Sequence, residues 1–292
     1  MTEAAPQTSA TSNVFTPQSS RVPSATPLPP FFRDQKDQPP KVTSEAKLPH
    51  KQFSLPKLRL EIRDLNHIGA QTFLGSVTAS EVLQDAVETV LKYLYESPDS
   101  RTTTVPSTRS VTLILRALDG VAYTTGTELD PDHKEIHLSL DYIHKHVALS
   151  RKAAEIRGVL THEMVHCYQY NGHGTCPGGL IEGIADWVRL NAELGPPHWK
   201  KEPGDKWDVG YQHTGFFLEY LEGRFGQGTV RRMNEKLRIE RYDEKRFWTE
   251  LVGGSVQCLW SDYKQHLKHS KPKDEQEKGM TIDKEDVTRV SK

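Results

Sequence analysis

The sequence feature that most constrains this chain is a pair of histidines one helical turn apart. His162 and His166 enclose Glu163 in the pentapeptide His-Glu-Met-Val-His. On a helix with 3.6 residues per turn, residues four apart share a face, so both imidazoles can reach one metal ion. Glu163 then lies beside the ion, where a carboxylate can take a proton from an attacking water. The spacing therefore predicts a zinc hydrolase centre.

Two acidic residues further along the chain complete this predicted centre. Glu182 and Asp186 are four residues apart in a helical pattern that follows residues 177–179. Catalytic zinc is commonly held by three protein side chains, with a fourth position left open. We therefore predict His162, His166 and Glu182 as zinc ligands. Asp186 is expected to accept the distal N–H of a ligand histidine and to fix its tautomer.

The surrounding residues favour a helix for the pentapeptide. Apolar residues recur at helical spacing from Ser150 to Tyr170, and Asn171-Gly172 tolerates the left-handed conformation in which helices commonly end. Taken separately, two histidines on a half-apolar helix are more often surface or core residues, and two carboxylates are often a solvated face. The combination of two helices, a tight turn and a carboxylate pair favours a metal site.

Two stretches of sequence carry a resemblance to a known family: GVLTHEMVHCYQYNG at residues 158–172 and PGGLIEGIADWVRL at residues 177–190. They resemble the plant basic secretory protein family and its fungal and bacterial relatives. The likeness covers about residues 57–265, and it includes the stretches 135–143, 207–211 and 216–221. That family is regarded as metallopeptidase-like, of the class in which two histidines and a glutamate hold zinc. The resemblance therefore implies a zincin-like fold and a peptidase.

The charge and the N-terminus depart from what the family name suggests. The net charge is −1 and the pI is about 6.9, so no global positive field would attract nucleic acid or anionic membranes. Residues 1–6 have no basic start with an apolar stretch after it, and no segment is long enough to span a bilayer. We expect no nucleic-acid or membrane partner and a cytoplasmic location.

Proline usage divides the chain into three parts. Of the 18 prolines, ten lie within residues 1–56, among Ser, Thr and Gln and without a periodic apolar pattern. We predict a disordered tail at 1–55, a zinc peptidase-like domain at 56–268 and a charged flexible tail at 269–292. The segment Pro27–Pro30 could form a polyproline II ligand, although such segments are more often linkers.

The order of the secondary-structure patterns predicts an α+β domain. Residues 57–63 alternate like a half-buried strand, and residues 78–95 have the pattern of a long amphipathic helix. After residue 150 the pattern is almost wholly helical. Between these parts lie β-rich segments at 111–115, 120–126 and 135–140. We predict a small twisted β-sheet packed on the zinc-motif helix, with a mostly helical C-terminal half across the cleft.

The three cysteines offer a rival reading. Cys167, Cys176 and Cys258 cannot all pair, and reduced thiols are the simpler expectation. One alternative is a structural zinc site formed by Cys167 and Cys176 with His166 and His173. However, Cys167 points about 100° away from the imidazole of His166, which disfavours that site. A Cys–His nucleophilic enzyme is also disfavoured, because no cysteine opens a helix beside an obvious base.

The predicted chemistry is hydrolysis of peptide bonds by a metal-activated water, with Glu163 as the general base. The oxyanion that forms needs a stabiliser besides the metal. Tyr211, expected at the start of a helix, is the preferred candidate, with a half-buried structural tyrosine as the equal alternative. His173 and His213 are further candidates.

Two functions remain open from the sequence. The first is a zinc metallopeptidase whose partner is a peptide or protein substrate. The second is a catalytically weak, peptidase-like binding protein that retains zinc and the cleft. By analogy with zinc peptidases, an edge strand near residues 135–140 is expected to align an extended substrate. Substrate preference and oligomeric state are not set by these patterns.

Overall fold

The computed structural model describes residues 52–270. The two predicted tails, residues 1–55 and 269–292, lie almost entirely outside the described residues. The segment Pro27–Pro30 lies wholly outside them. The predictions for the two tails and for this segment therefore stay untested.

The described residues form four strands and nine α-helices. The strands are β1 (Lys57–Ile62), β2 (Ser110–Arg116), β3 (Ala122–Gly126) and β4 (His133–Ser139). The helices are α1 (Ile68–Ser76), α2 (Ala79–Leu94), α3 (Leu140–Lys145), α4 (Lys152–Tyr168), α5 (Gly178–Asn191), α6 (Tyr211–Phe225), α7 (Thr229–Ile239), α8 (Glu244–Val252) and α9 (Val256–Ser270). The predicted α+β class, with a mostly helical C-terminal half, is confirmed.

The four strands form one mixed sheet in the order β1-β2-β4-β3. β1, β2 and β4 are parallel, and β3 runs antiparallel to β4. The apolar run Val111–Leu115 is buried throughout, as expected for a central parallel strand covered on both faces. The expectation of an edge strand near residues 135–140 is wrong, because β4 is paired on both sides. β3 folds back beside β4 and forms that edge instead.

Helix α4 lies at the centre of the domain. It packs against α2 and α5 and against strands β3 and β4, which confirms the prediction that the sheet lies on the motif helix. The helix ends at Tyr168, before the expected stop at Asn171-Gly172. Its last carbonyls accept hydrogen bonds from side chains elsewhere in the fold: Thr108 donates to Cys167 O at 2.9 Å, and Tyr95 donates to Tyr168 O at 2.6 Å.

Helix α1 was not predicted from the sequence. Only Gly69, Ala70 and Phe73 are buried in it, which is too few for a clear helical period. Gly69 is required by a close approach, because a Cβ there would lie 2.2 Å from the carbonyl oxygen of Leu140. None of the helices in residues 52–270 is both long enough and apolar enough to cross a membrane.

Helices α5 and α6 approach each other closely, and this contact sets the position of the candidate site. A Cβ on Gly183 would lie 2.2 Å from Cγ2 of Thr214, which is fully buried. Thr214 is fixed in turn, because its hydroxyl donates to Trp207 O at 2.7 Å. The absence of a side chain at Gly183 therefore lets α6 lie directly against α5.

We predict that Gly183→Ala lowers the free energy of unfolding by about 1–3 kcal/mol, because the added methyl forces Thr214 or α6 to shift. In thermal unfolding, each kcal/mol is worth about 2–4 °C for a domain of this size. Gly223→Ala is the matched control. It lies in the same pair of helices with no atom within 4 Å of the added Cβ, so it is expected to be neutral or slightly stabilising. Equal melting temperatures for the two variants would contradict the packing argument.

Candidate active site

Helices α4 and α5 bring His162, His166 and Glu182 together. The Nε2 atom of His162 lies 3.1 Å from Glu182 Oε2 and 3.2 Å from His166 Nε2. His166 Nε2 is 3.7 Å from Glu182 Oε1. Within residues 52–270, no other three His, Cys, Asp or Glu side chains bring potential metal-binding atoms within 4.8 Å of one another. The rival set with Cys167 and Cys176 is therefore not assembled in the described fold.

The spacing of the two Nε2 atoms and the two carboxylate oxygens of Glu182 fits a transition-metal ion. Two ligands held about 2.1 Å from zinc at tetrahedral angles are separated by roughly 3.4 Å. The separations of 3.1, 3.2 and 3.7 Å lie around that value. Two imidazole nitrogens and one carboxylate oxygen are also a donor set that catalytic zinc sites use. The residues present can thus hold such an ion without rearrangement of the helices.

Asp186 lies behind the first histidine. Its Oδ1 is 2.7 Å from Nδ1 of His162, and the residue is only 2% exposed. Nδ1 therefore carries a proton, which directs Nε2 toward Glu182 and the candidate metal position. Burial would lower the pKa of His162, but the hydrogen bonds to Asp186 and Glu182 outweigh it and raise the pKa to about 9. For His166, burial and the charge on His162 lower the pKa to about 4.

Glu182 is ionised in this arrangement. Burial alone would raise the pKa of its carboxyl group, but the hydrogen bond to His162 and the nearby His166 hold it below the usual range. The carboxylate is therefore available as a ligand at neutral pH.

Gln169 supports the second histidine, and sequence analysis did not single it out. Its side-chain amide lies 2.8 Å from Nδ1 of His166, while its buried Oε1 atom has no hydrogen-bond partner within residues 52–270. When His166 binds a metal through Nε2, its Nδ1 carries a proton and needs an acceptor. Rotation of the Gln169 amide by 180° places Oε1 there, since the two amide ends have nearly the same shape. The three-residue spacing from His166 was the only signal in the sequence.

Glu163 lies beside the three ligand atoms and is only 6% exposed. Burial raises the pKa of its carboxyl group above the usual range, as suits a general base that works near neutral pH. Thr124, on strand β3, places its hydroxyl 2.7 Å from Glu163 Oε2 and 2.9 Å from the Glu163 carbonyl oxygen. The side chain of Glu163 is thus oriented by the sheet edge. Thr124 was not predicted as a site residue, because a strand pattern does not show which helix the strand will contact.

Tyr211 lies at the first position of α6, as predicted, and its ring stacks on His162. The ring centroids are 6.4 Å apart and the planes differ by 16°. The side chain is 61% exposed, so its hydroxyl is accessible from the cleft. The charge of Glu182 raises the pKa of the phenol, which keeps the hydroxyl protonated and able to donate. Its backbone φ of +48° follows Gly210 at +93°, an unusual pair of left-handed residues.

The other two candidates for oxyanion stabilisation lie elsewhere. His173 is exposed, and His213 lies near the carbonyl oxygen of Glu202, with 3.1 Å between that atom and Nδ1. Neither lines the cleft. His198 does line it, and sequence analysis did not identify it because it lies in a loop without a motif.

The site opens into a cleft of about 890 Å³, within the usual range for ligand sites. One wall is the segment from Gly120 to Thr124, which includes most of the edge strand. The opposite side is formed by α5, by the loop 196–199 and by Tyr211. The arrangement is a pocket with carboxylates, imidazoles and a phenol that converge on one point.

Comparison of the chain with known proteins identifies its family. The family model described as "Peptidase of plants and bacteria" matches residues 55–263, more than half of the chain. The chain belongs to this family, and the resemblance to the basic secretory protein family is confirmed. The family name implies a peptidase-like role. No curated protein and no solved structure matches the chain.

We predict that metal affinity rises with pH. In the metal-free site the pKa of His162 is raised to about 9, so a proton occupies Nε2 below that pH and must leave when a metal ion binds. The apparent zinc affinity is expected to rise about tenfold per pH unit between about pH 6.5 and 8.5, measured by competition with a chelator of known titration. A pH-independent affinity in this range would contradict the assignment.

The variant Asp186→Asn tests the origin of this pH dependence. It removes the carboxylate that holds the His162 proton, so the rise in affinity with pH should end at a lower pH. The affinity itself is expected to fall about 10–100-fold through loss of the charged acceptor. A variant with unchanged affinity and pH profile would remove Asp186 from this role.

Proposed function

We propose that this protein is a zinc-dependent metallopeptidase with a zincin-like active site. The observation that carries the proposal is the convergence of His162, His166 and Glu182 beside the buried Glu163 at the base of an open cleft. Family membership supports the peptidase class, and the donor set supports zinc.

Each residue has a defined task in this proposal. Zinc bound by the three ligands would act as a Lewis acid and lower the pKa of water to about 7. Glu163 accepts the proton of the attacking water and later returns it to the leaving amine, and Thr124 keeps its carboxylate in position. The Tyr211 hydroxyl donates a hydrogen bond to the oxyanion that develops on the substrate carbonyl.

The open edge of β3 suits an extended substrate. Val121 O accepts from Ser139 N, and Thr127 N donates to His133 O. Because bonded residues alternate along an antiparallel pair, the backbone groups of Ala122 and Thr124 face away from β4. They are available to pair with the main chain of a peptide laid along the cleft, which is the β-addition mode of peptide binding.

The partners implied are peptides or unfolded protein segments. A cytoplasmic location, expected from the sequence, stays a prediction. The alternative of a peptidase-like binding protein differs only in turnover, so activity must be measured together with metal content.

We predict that the purified protein binds about one zinc ion per chain after reconstitution, because the ligand atoms are already assembled. His162→Ala and His166→Ala should each lose most of this metal in elemental analysis. His173→Asn is the matched control: it changes an exposed histidine outside the cleft at φ +54°, a conformation that asparagine tolerates. Wild-type protein without bound transition metal would overturn the proposal.

Glu163→Gln separates metal binding from chemistry. The amide preserves the shape of the side chain but cannot accept a proton, so zinc content should be unchanged while kcat falls by about two to four orders of magnitude. Cleavage of unfolded casein and of a peptide library, with and without a chelator, measures the effect. Glu128→Gln, at an exposed position, is the control and should keep wild-type activity.

Two outcomes would change the conclusion. Full activity of Glu163→Gln would remove Glu163 as the general base. Wild-type protein with full zinc content but no measurable cleavage would favour the binding-protein alternative.

A further inference from the structure

The cleft continues past the ligand residues along the two helices that carry them. On α4, Glu155 and Val159 lie on the same side as His162, and on α5 Arg189 lies one turn beyond Asp186. All of these residues line the cleft. The extension of the cleft therefore begins at the candidate catalytic centre and ends at Arg189.

Arg189 is held firmly at this end. It is only 7% exposed, its Nη2 donates to Glu155 Oε2 at 3.1 Å, and its Nε donates to Leu194 O at 3.1 Å. The guanidinium also lies over the ring of Trp199, with its carbon 5.2 Å from the ring centroid. A glycine makes room for it, because a Cβ on Gly158 would lie 2.6 Å from Nε.

Glu155 is fully engaged at the same place. Its Oε1 accepts a hydrogen bond from the Tyr142 hydroxyl at 2.9 Å, and its Oε2 accepts from Arg189. Burial and the charge of Glu155 raise the pKa of Tyr142 to about 12, so this hydroxyl remains a donor. The carboxylate therefore has its charge matched and its two oxygens occupied.

One nitrogen of the Arg189 guanidinium, Nη1, takes no part in these contacts. This atom has no hydrogen-bond partner among residues 52–270, and it is not among the buried atoms that lack a partner. Nη1 is therefore not fully buried, and Arg189 is one of the residues that line the cleft. A rigid donor in a largely buried position is available to a ligand, since an arginine carries five N–H groups in a fixed plane.

The rest of this space is apolar. Val159 and Pro196 line the cleft together with Trp199, whose ring lies against the Arg189 guanidinium. Arg189 lies seven residues beyond the candidate ligand Glu182 along α5, a rise of about 10.5 Å, so a short side chain at the reacting centre does not reach it.

The charges of the cleft disfavour ionised side chains. Four carboxylates line it, those of Glu155, Glu163, Glu182 and Asp186, against the guanidinium of Arg189, so the net charge would be about −1 even with a divalent ion bound. An acidic side chain is repelled by this field, and a basic one would meet the guanidinium of Arg189. A neutral side chain with an acceptor at its tip meets neither penalty.

We propose that this part of the cleft, the Arg189 pocket formed by Tyr142, Glu155, Val159, Arg189, Pro196 and Trp199, binds the substrate side chain next to the scissile bond. It selects a long neutral side chain with a hydrogen-bond acceptor at its tip, such as that of tyrosine. This inference rests on the proposed peptidase function and adds the substrate class to it.

The test is a cleavage profile of the zinc-loaded full chain on a peptide library, followed by kcat/KM for matched peptides. These differ only at the selected position, which carries Tyr, Phe, Ala, Glu or Lys. Wild-type protein should prefer Tyr over Phe by about tenfold, the worth of one hydrogen bond to a charged donor. It should prefer Phe over Ala, Glu and Lys by more than tenfold.

Two variants test the hydrogen-bond donor and the apolar space of the Arg189 pocket separately. Arg189→Lys keeps the charge beside Glu155 but loses the planar donor, so the Tyr/Phe ratio should fall to about one while Phe stays preferred over Ala. Val159→Phe fills the pocket, so the Tyr/Ala ratio should fall at least fiftyfold. Arg157→Lys is the matched control for the arginine, because Arg157 pairs with Asp85 at 2.6 Å outside the cleft. It should leave both ratios unchanged.

The outcomes distinguish this inference from the function on which it rests. Cleavage that depends on zinc but shows no preference beside the scissile bond overturns the Arg189 pocket alone. The same holds if Val159→Phe lowers kcat/KM equally for all peptides. If Arg189→Lys or Val159→Phe loses zinc or unfolds, Trp199→Ala replaces it, and an unchanged Tyr/Ala ratio in that variant also overturns the pocket. Zinc-loaded wild-type protein that cleaves nothing overturns both the pocket and the proposed function.

Discussion

The interaction on which the candidate site depends is the hydrogen bond between His162 and Asp186 across helices α4 and α5. It is 2.7 Å long, and both residues are buried, His162 at 8% and Asp186 at 2% exposure. A buried carboxylate is costly unless it is paired, so this bond fixes how far apart the two helices lie and how each is rotated. Once that is set, Glu182 must lie one turn before Asp186 and Arg189 must lie almost one turn after it. The ligand set and the far end of the cleft are thus consequences of a single pairing.

The second constraint is the close packing of neighbouring residues against two glycines of α5. A Cβ on Gly179 would lie 1.8 Å from the carbonyl oxygen of Asp208, and Gly183 admits Thr214. These contacts seat the segment before α6 on the first turns of α5. Tyr211 follows directly and is held over His162, even though its backbone adopts a conformation that costs a tyrosine about 1–2 kcal/mol. The packing against these glycines therefore offsets this cost and holds the exposed Tyr211 side chain in place.

The sequence predicted the elements with a strong local signal and missed those that depend on distant partners. The convergence of the candidate ligands followed from a spacing of four on two helices, and both helices lie where the apolar period predicted them. Helix α4 ends before the predicted stop at Asn171-Gly172, because side chains from other elements donate hydrogen bonds to its last carbonyls. The expected edge strand near residues 135–140 was wrong for a similar reason, since nothing in the sequence of β3 or β4 shows which of them lies at the edge. Thr124, Gln169 and His198 were missed, because their proximity to the site arises only from the fold.

The edge strand β3 also bears on which molecules can meet in the cleft. An unpaired strand edge usually invites pairing with a second copy and, from there, aggregation. Here the edge is five residues long, rich in threonine and glycine, and forms a wall of the cleft rather than an outer rim. Because this edge is short and lies in a recess, it is less accessible to the edge strand of a second copy than an outer strand would be.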